Sequence, residues 1–139
     1  MKYKIIKRFF DILFAFLGLI FLSPLLLSVS VVILLFDGRP ILFKQYRIGS
    51  INKKFVFYKF RSMPENTKIV PSDKVKNVKI SKVGKFIRRL SIDELPQLFN
   101  ILKGDMSFVG PRPCIESQVE LIRARNLNGS YKLKPGLTG

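Results

Sequence analysis

Residues 12–36 read ILFAFLGLIFLSPLLLSVSVVILLF, 25 consecutive positions without a charge, bracketed by Asp11 and Asp37. A straight helix of that length reaches roughly 37 Å, enough for a hydrocarbon core of about 30 Å. The lead into it is basic, with Lys2, Lys4, Lys7 and Arg8. A secretory signal peptide is therefore the first competitor. The apolar run is about twice a usual signal core, and no small-residue cleavage pattern follows it, which argues against that reading.

Two features argue against a plain spanning helix. Pro24 follows Ser23 near the midpoint. A proline there removes one backbone hydrogen bond and clashes with the carbonyl of Ile20, so a break or kink is expected. The halves on either side each reach roughly 18–20 Å, too short to span alone. The Ser23 hydroxyl is suited to bond a carbonyl that the proline frees. The second feature is charge. Beyond Asp37 stand 21 Lys and Arg against 7 Asp and Glu, so both flanks of the apolar run are positive. Positive flanks stay on the cytoplasmic side. A helix-break-helix that dips into one leaflet and returns satisfies both. A kinked single span with basic flanks is the alternative, and the residues leave the two open.

The rest of the 139-residue chain suits one small domain. One Cys and no His exclude a disulfide framework, a Cys/His zinc site and His-based nucleophilic catalysis. Apolar content of 47% at a net charge of +16 argues against disorder. Ile41–Ile48 and Lys54–Phe60 read as two strands around the turn cluster Gly49-Ser50-Ile51-Asn52, a β-hairpin. Residues 65–79 read as a polar loop. Ser81–Leu90 places Val83, Phe86, Ile87 and Leu90 at helical spacing, with Lys82, Lys85, Arg88 and Arg89 opposite. Such a helix suits an anionic membrane surface, or packs its stripe in a core with its cations solvated.

Next, Leu95, Leu98, Phe99 and Leu102 form a helical stripe. Ser91 and Glu94 have capping-box spacing, or Asp93 caps the helix with Pro96 in its first turn. Either way Asp93 and Glu94 stand at a helix N-terminus, where they can serve as caps only. The functional alternative notes Arg88 and Arg89 upstream and Arg112 downstream, between Pro111 and Pro113. A carboxylate so placed stays ionised, and an ionised Asp can attack phosphorus or ligate Mg²⁺. Ile115–Arg125 reads as a last amphipathic helix, and Lys134–Gly139 as a turn-like ending.

Six blocks in order carry a resemblance. They are Lys7-Arg8-Phe9-Phe10-Asp11 with Ser23-Pro24, Lys44–Gly49, Tyr58–Met63, Arg88–Leu98, Gly104–Pro113 and Lys134–Gly139. The chain resembles the bacterial sugar transferase family, the small monotopic phosphoglycosyl transferases, over nearly its whole length. The resemblance implies an α+β architecture: residues 1–37 as a re-entrant membrane hairpin with a basic N-terminus, marked by Arg8, Asp11, Ser23 and Pro24. Residues 38–139 would then be a cytoplasmic, membrane-associated catalytic domain of interfacial amphipathic helices and a β-hairpin. It implies transfer of a phospho-sugar from a UDP-sugar to polyprenol (undecaprenyl) phosphate, with UMP released, as a first membrane step in surface glycan or glycoprotein assembly. It places the Mg²⁺-dependent dyad on Asp93, the nucleophile that forms an aspartyl intermediate, and Glu94, which would assist by positioning, by metal contact or as a base. Lys59, Arg61, Arg88 and Arg112 would neutralise phosphate, with Arg88 and Arg112 the foremost and a structural role flanking the hairpin the alternative for Lys59 and Arg61. Arg8 and Asp11 would pair with each other or anchor the hairpin. The expected location is the bacterial inner membrane, facing the cytoplasm at an anionic lipid surface. No nucleic acid partner is expected, and homo-oligomerisation is left open. Family members continue past Pro-Gly-Leu-Thr-Gly with a Trp and several dozen residues. This chain stops there without a Trp, so the expectation is a C-terminally truncated chain, either active or inactive. A membrane-anchored basic protein binding nucleic acid or anionic lipid is the alternative.

Overall fold

The structure, a computed structural model, describes residues 2–63 and 80–139. The loop expected over 65–79 lies outside the described residues. The elements are α1 (Lys2–Phe36), β1 (Leu42–Ile48), β2 (Lys54–Phe60), α2 (Lys82–Arg89), α3 (Gln97–Lys103), β3 (Ser107–Val109), α4 (Val119–Leu127) and β4 (Gly136–Thr138). Short 3₁₀ turns stand at Ser50–Asn52, Ile92–Glu94 and Ser130–Lys132. The mixture of helix and strand is the expected α+β class.

The expected interruption at Ser23-Pro24 is not an interruption of helix: α1 runs through Pro24 as one element. The reason is local. Pro24 has no N–H to give the carbonyl of Ile20, and the Ser23 hydroxyl donates to that carbonyl at 2.7 Å instead. The hydroxyls of Ser28 and Ser30 likewise donate to the carbonyls of Pro24 and Leu26. One stripe of α1 packs against the rest of the chain. Before Pro24, Ala15, Leu19 and Leu22 join Phe55, Phe57, Leu98, Ile101 and Met106. After it, Leu26, Val29 and Ile33 join Phe60 and Ile87. Pro24 thus marks the passage from one apolar cluster to the other. The remaining faces of α1 stay apolar and uncovered, with Phe21 76% exposed, and the helix is long and apolar enough to cross a membrane.

The hairpin forms as the two strand-like runs around the turn cluster predict. β1 and β2 pair antiparallel, from Leu42 opposite Phe60 to Ile48 opposite Lys54. α2 begins where expected, because the Ser81 hydroxyl accepts from the Gly84 N–H at 2.9 Å. Gly84 is required for contact: a Cβ there would stand 2.4 Å from the Ser62 carbonyl oxygen. Of the expected stripe, Ile87 is buried, while Phe86 and Leu90 are exposed.

The next helix differs from its sequence reading. Residues 92–94 form a 3₁₀ turn and α3 starts only at Gln97. Ser91 lies in the left-handed region at φ 55° and caps nothing. Pro96, lacking an N–H, precedes α3, and the main-chain bonds from Glu94 to Phe99 run three residues back. Neither capping scheme forms, so Asp93 and Glu94 are free for other partners. α3 is also rotated from the expected phase: Leu98 and Ile101 are buried and Phe99 is half exposed. Buried Asn100 sets that phase, its amide donating to the Val56 carbonyl at 2.6 Å and accepting from the Tyr58 N–H at 3.1 Å.

Two further expectations are corrected. The Pro-Gly-Leu-Thr-Gly ending is not a turn: β4 pairs parallel with β3, Ser107 opposite Gly136 and Val109 opposite Thr138. α4 is not amphipathic: it buries no residue, and Val119, Leu121 and Leu127 are exposed.

Candidate functional site

The site forms where β2, the 92–94 turn and the Pro111-Arg112-Pro113 loop meet. Lys59 sits near the end of β2 on the face turned to the 3₁₀ turn, and Asp93 is 2% exposed beneath it. The Lys59 ammonium stands 2.8 Å from Asp93 Oδ2 and 3.3 Å from Glu94 Oε1. Arg112 Nη2 donates to the same Glu94 oxygen at 3.3 Å. The Lys59 contact with Glu94 is a directed hydrogen bond. Its contact with Asp93 is charge attraction alone, since Oδ2 is buried and has no hydrogen-bond donor. Distance and direction thus give different accounts of that oxygen, and direction decides whether its lone pairs are engaged.

A third cation completes the surroundings. Arg47, at the far end of β1, stacks 5.2 Å over the Phe57 ring and donates to the Pro113 carbonyl at 3.3 Å. Burial holds its guanidinium below the ordinary arginine range, and the neighbouring Arg112 charge adds to this, while Cys114 and Glu94 pull the other way. Lys59, Arg47 and Arg112 against Asp93 and Glu94 leave a surplus of positive charge, the electrostatics of an anion site.

The other residues singled out in the sequence fall in different places. Arg88 is half-buried in the last turn of α2, and no bond from its side chain to either carboxylate is present among the described residues. Arg61 is not brought to the carboxylates. It is buried and donates to the carbonyls of Asp37, Gly38 and Arg39, just past the end of α1. Arg8 and Asp11 do not pair with each other; both anchor α1. Arg8 donates to the carbonyls of Ile101 and Leu102 at 2.6 and 2.8 Å, closing the C-terminus of α3. Asp11 accepts from the Ser107 hydroxyl and the Phe108 N–H, each at 3.1 Å, and pairs with Lys7. Sequence reasoning missed Lys7, Ser107, Asn100 and Arg47 in these roles. Of the four only Arg47 carried a signal, as a charge on an otherwise half-apolar strand.

The carboxylate pair fits a divalent cation of the Mg²⁺ type. Such an ion takes one or two protein carboxylates and completes its shell with water and substrate phosphate. No group of three or more acidic, Cys or His residues suited to a metal occurs among the described residues, which argues against a closed protein cage. Asp93 Oδ2, without a directed hydrogen bond, and Glu94 are the carboxylate oxygens such an ion would use, with the Lys59 ammonium giving up its place beside Oδ2. Asp93 Oδ2 is equally fit to act as a nucleophile.

The profile of the family described as bacterial sugar transferase matches residues 2–139. The chain is similar to a UDP-N-acetylgalactosamine-undecaprenyl-phosphate N-acetylgalactosaminephosphotransferase of Aeromonas hydrophila, 47% identical, covering 99% of this chain and 33% of that protein. It is similar to the uncharacterized sugar transferase EpsL of Bacillus subtilis (strain 168), 42% identical, covering 97% and 66%. It is also similar to a UDP-glucose:undecaprenyl-phosphate glucose-1-phosphate transferase of Escherichia coli (strain K12), 41% identical, covering 98% and 30%. The chain therefore spans about a third of the length of two of these relatives and just under two thirds of the other. A match over all but the first residue, in a chain whose acidic pair and cations converge, shows that this chain belongs to the bacterial sugar transferase family.

Proposed function

We propose that this chain transfers a phospho-sugar from a UDP-sugar to a polyprenol phosphate, giving a polyprenol diphosphate sugar and UMP. One observation carries the reading: a buried Asp93 oxygen without a hydrogen-bond donor, held beside the Lys59 ammonium. The names of the relatives, which include a UDP-sugar and undecaprenyl phosphate, supply the substrate class.

In the first half-reaction an Asp93 carboxylate oxygen attacks the phosphorus that bears the sugar. A bond from phosphorus to that oxygen forms, the bond to the UMP oxygen breaks, and UMP leaves with the electron pair. In the second, a phosphate oxygen of the polyprenol phosphate attacks the same phosphorus and the Asp93 carboxylate departs. Both nucleophiles react as anions, so neither needs a base. Lys59 and Arg112 meet the phosphate charge, and Arg88, in the last turn of α2, is the further candidate. Glu94 holds Lys59 and Arg112 in place, and with Asp93 would hold Mg²⁺. When bound, Mg²⁺ supplies neutralisation of the diphosphate.

The test is UMP release by the full chain in detergent, against a panel of UDP-sugars with Mg²⁺. Sustained release is expected only when polyprenol phosphate is present. No release with any sugar, together with salt-sensitive binding to duplex DNA, would overturn the reading in favour of a membrane-anchored basic protein.

The same reading makes α1 a re-entrant helix, bent at Pro24, in the bacterial inner membrane, with both ends on the cytoplasmic side. Its support is that each end is tied to the body of the chain: Arg8 and Asp11 at one end, Asp37–Arg39 through Arg61 at the other. Lys4→Cys and Lys44→Cys are therefore both expected to resist an impermeant maleimide in spheroplasts and both to react after permeabilisation. A single span labels one of them from outside. The native Cys114 is 1% exposed, so background labelling is low.

α2 lies at the lipid surface in this arrangement. Phe86 and Leu90 are exposed beside exposed Lys82, Lys85 and Arg89, an apolar strip edged by cations. A bimane on Phe86→Cys should be quenched by brominated lipid in anionic vesicles, and one on Lys44→Cys should not. Equal quenching at both positions refutes the interfacial placement.

A further inference from the structure

Four consecutive carbonyl groups around Arg112 are each held by a donor, and the donors come from three different elements. The Pro111 carbonyl accepts from the Gly136 N–H of β4 at 3.0 Å, and the Cys114 carbonyl from the Ile48 N–H of β1 at 2.8 Å. Between them, the Arg112 carbonyl accepts from Arg125 Nη2 of α4 at 2.6 Å. The Pro113 carbonyl accepts from Arg47 Nη1 at 3.3 Å. Arg125 has a second hold, its Nη1 lying 3.4 Å from the Cys114 sulfur. Proline on both sides already restricts the backbone of Arg112. The Arg112 side chain itself is 73% exposed and among the described residues pairs with Glu94 alone.

This is an uneven distribution of order. Every main-chain acceptor of the loop is fastened, yet the side chain at its tip is left to solvent. Ordering two long, half-buried arginine side chains to hold two carbonyls is more than closing the loop requires, because main-chain donors serve that end without the entropy cost of fixing a charged side chain. The arrangement is economical if the position of Arg112 is what matters, since a cation that meets a phosphate without prior ordering binds more tightly. We propose that Arg125 and Arg47 are positioning residues, which hold the main chain on either side of Arg112 so that its guanidinium stands ready for a substrate phosphate. The proposal deepens the transferase reading and rests on its assignment of Arg112 to phosphate.

The test is a double-mutant cycle on the full chain in detergent, reading the Kd for inorganic pyrophosphate by calorimetry and the melting midpoint by circular dichroism. Arg125→Gln is expected to weaken pyrophosphate binding about fivefold. In the Arg112→Ala background the same substitution should change the Kd by less than about 1.5-fold, because the group it positions is gone. Arg125→Lys, which keeps one donor for the Arg112 carbonyl, should recover most of the affinity, and Arg47→Lys gives a second, milder probe of the other hold. An equal loss in both backgrounds overturns the proposal, as does a loss that follows the melting midpoint across all variants. If Arg112→Ala leaves the Kd unchanged, the phosphate role of Arg112 fails and the proposal with it. Continued UMP release in that case shows that the transferase reading survives.

Discussion

Asp93→Asn lowers UMP release by at least about a thousandfold and leaves the chain folded. The substitution keeps the shape of the side chain and removes its charge. An amide oxygen is a poor nucleophile and cannot accept phosphorus as a carboxylate does, so the first half-reaction has no entry. The fold tolerates the exchange because the amide fills the same buried space and costs less to desolvate than a carboxylate. Lys59 loses one partner but keeps Glu94 at 3.3 Å. The two effects oppose, and the stability change stays within about 1 kcal/mol. Intact-protein mass spectrometry makes the check direct. With UDP-sugar and no acceptor, the proposed mechanism predicts that the unaltered chain gains one phospho-sugar and that Asp93→Asn gains none. Glu94→Gln is slower but still gains the adduct, since it loses a holder of Lys59 and Arg112 and not the attacking atom. Turnover by Asp93→Asn within tenfold of the unaltered chain would remove Asp93 from the role of nucleophile.

How far the sequence reveals this site depends on which physical term controls each residue. The charge-free run from Ile12 to Phe36 and the two strand-like runs around the 49–52 turn cluster are local signals; the hairpin forms where they predict, and the apolar run is helical but starts at Lys2 and continues through Pro24. Ser23 is also legible, because a proline frees a carbonyl at a known offset. Asp93 and Glu94 are not decided by spacing alone. Capping and catalysis place the same residues at the same positions, and only the 3₁₀ turn around Ser91, with φ at 55°, takes them out of capping. β4 is illegible for a different reason: three residues, Gly136–Thr138, are a strand only because β3 lies alongside. Lys59 and Arg61 stand two apart on β2 and at its end, and composition does not separate them. What separates them is the partner each one meets, carboxylates for Lys59 and, just past the end of the strand, main-chain carbonyls for Arg61. Arg125 carries no local signal, since its partner is thirteen residues away across a turn.

The difference between those two cations yields the largest stability effect. Arg61→Met should cost about 3 kcal/mol, which for a chain of this size lowers the melting midpoint by roughly 10 °C. The Arg61 guanidinium is buried and donates to three successive carbonyls, with 2.6 Å to Arg39 and 2.9 Å to Gly38. Those carbonyls follow the last turn of α1, where helix carbonyls lack partners of their own. Methionine fills much of the same volume and donates nothing, so the packing term is largely retained while the carbonyls lose their donor. A hydrogen bond from a charged donor contributes about 1.5–3 kcal/mol, and water reaching the loosened turn recovers part of the sum. The consequence extends beyond stability, because Arg61 fastens the end of α1 to the hairpin that carries Lys59. Well below the melting midpoint, kcat/KM for the UDP-sugar should stay within about twofold, since the carboxylates and their cations keep their positions. An arginine bound to substrate phosphate behaves the opposite way, raising KM about tenfold or more with little change in melting. Measuring both quantities on Arg61→Met therefore decides between a residue that holds the end of α1 and one that holds the substrate. An unchanged melting midpoint with a raised KM would overturn the structural assignment.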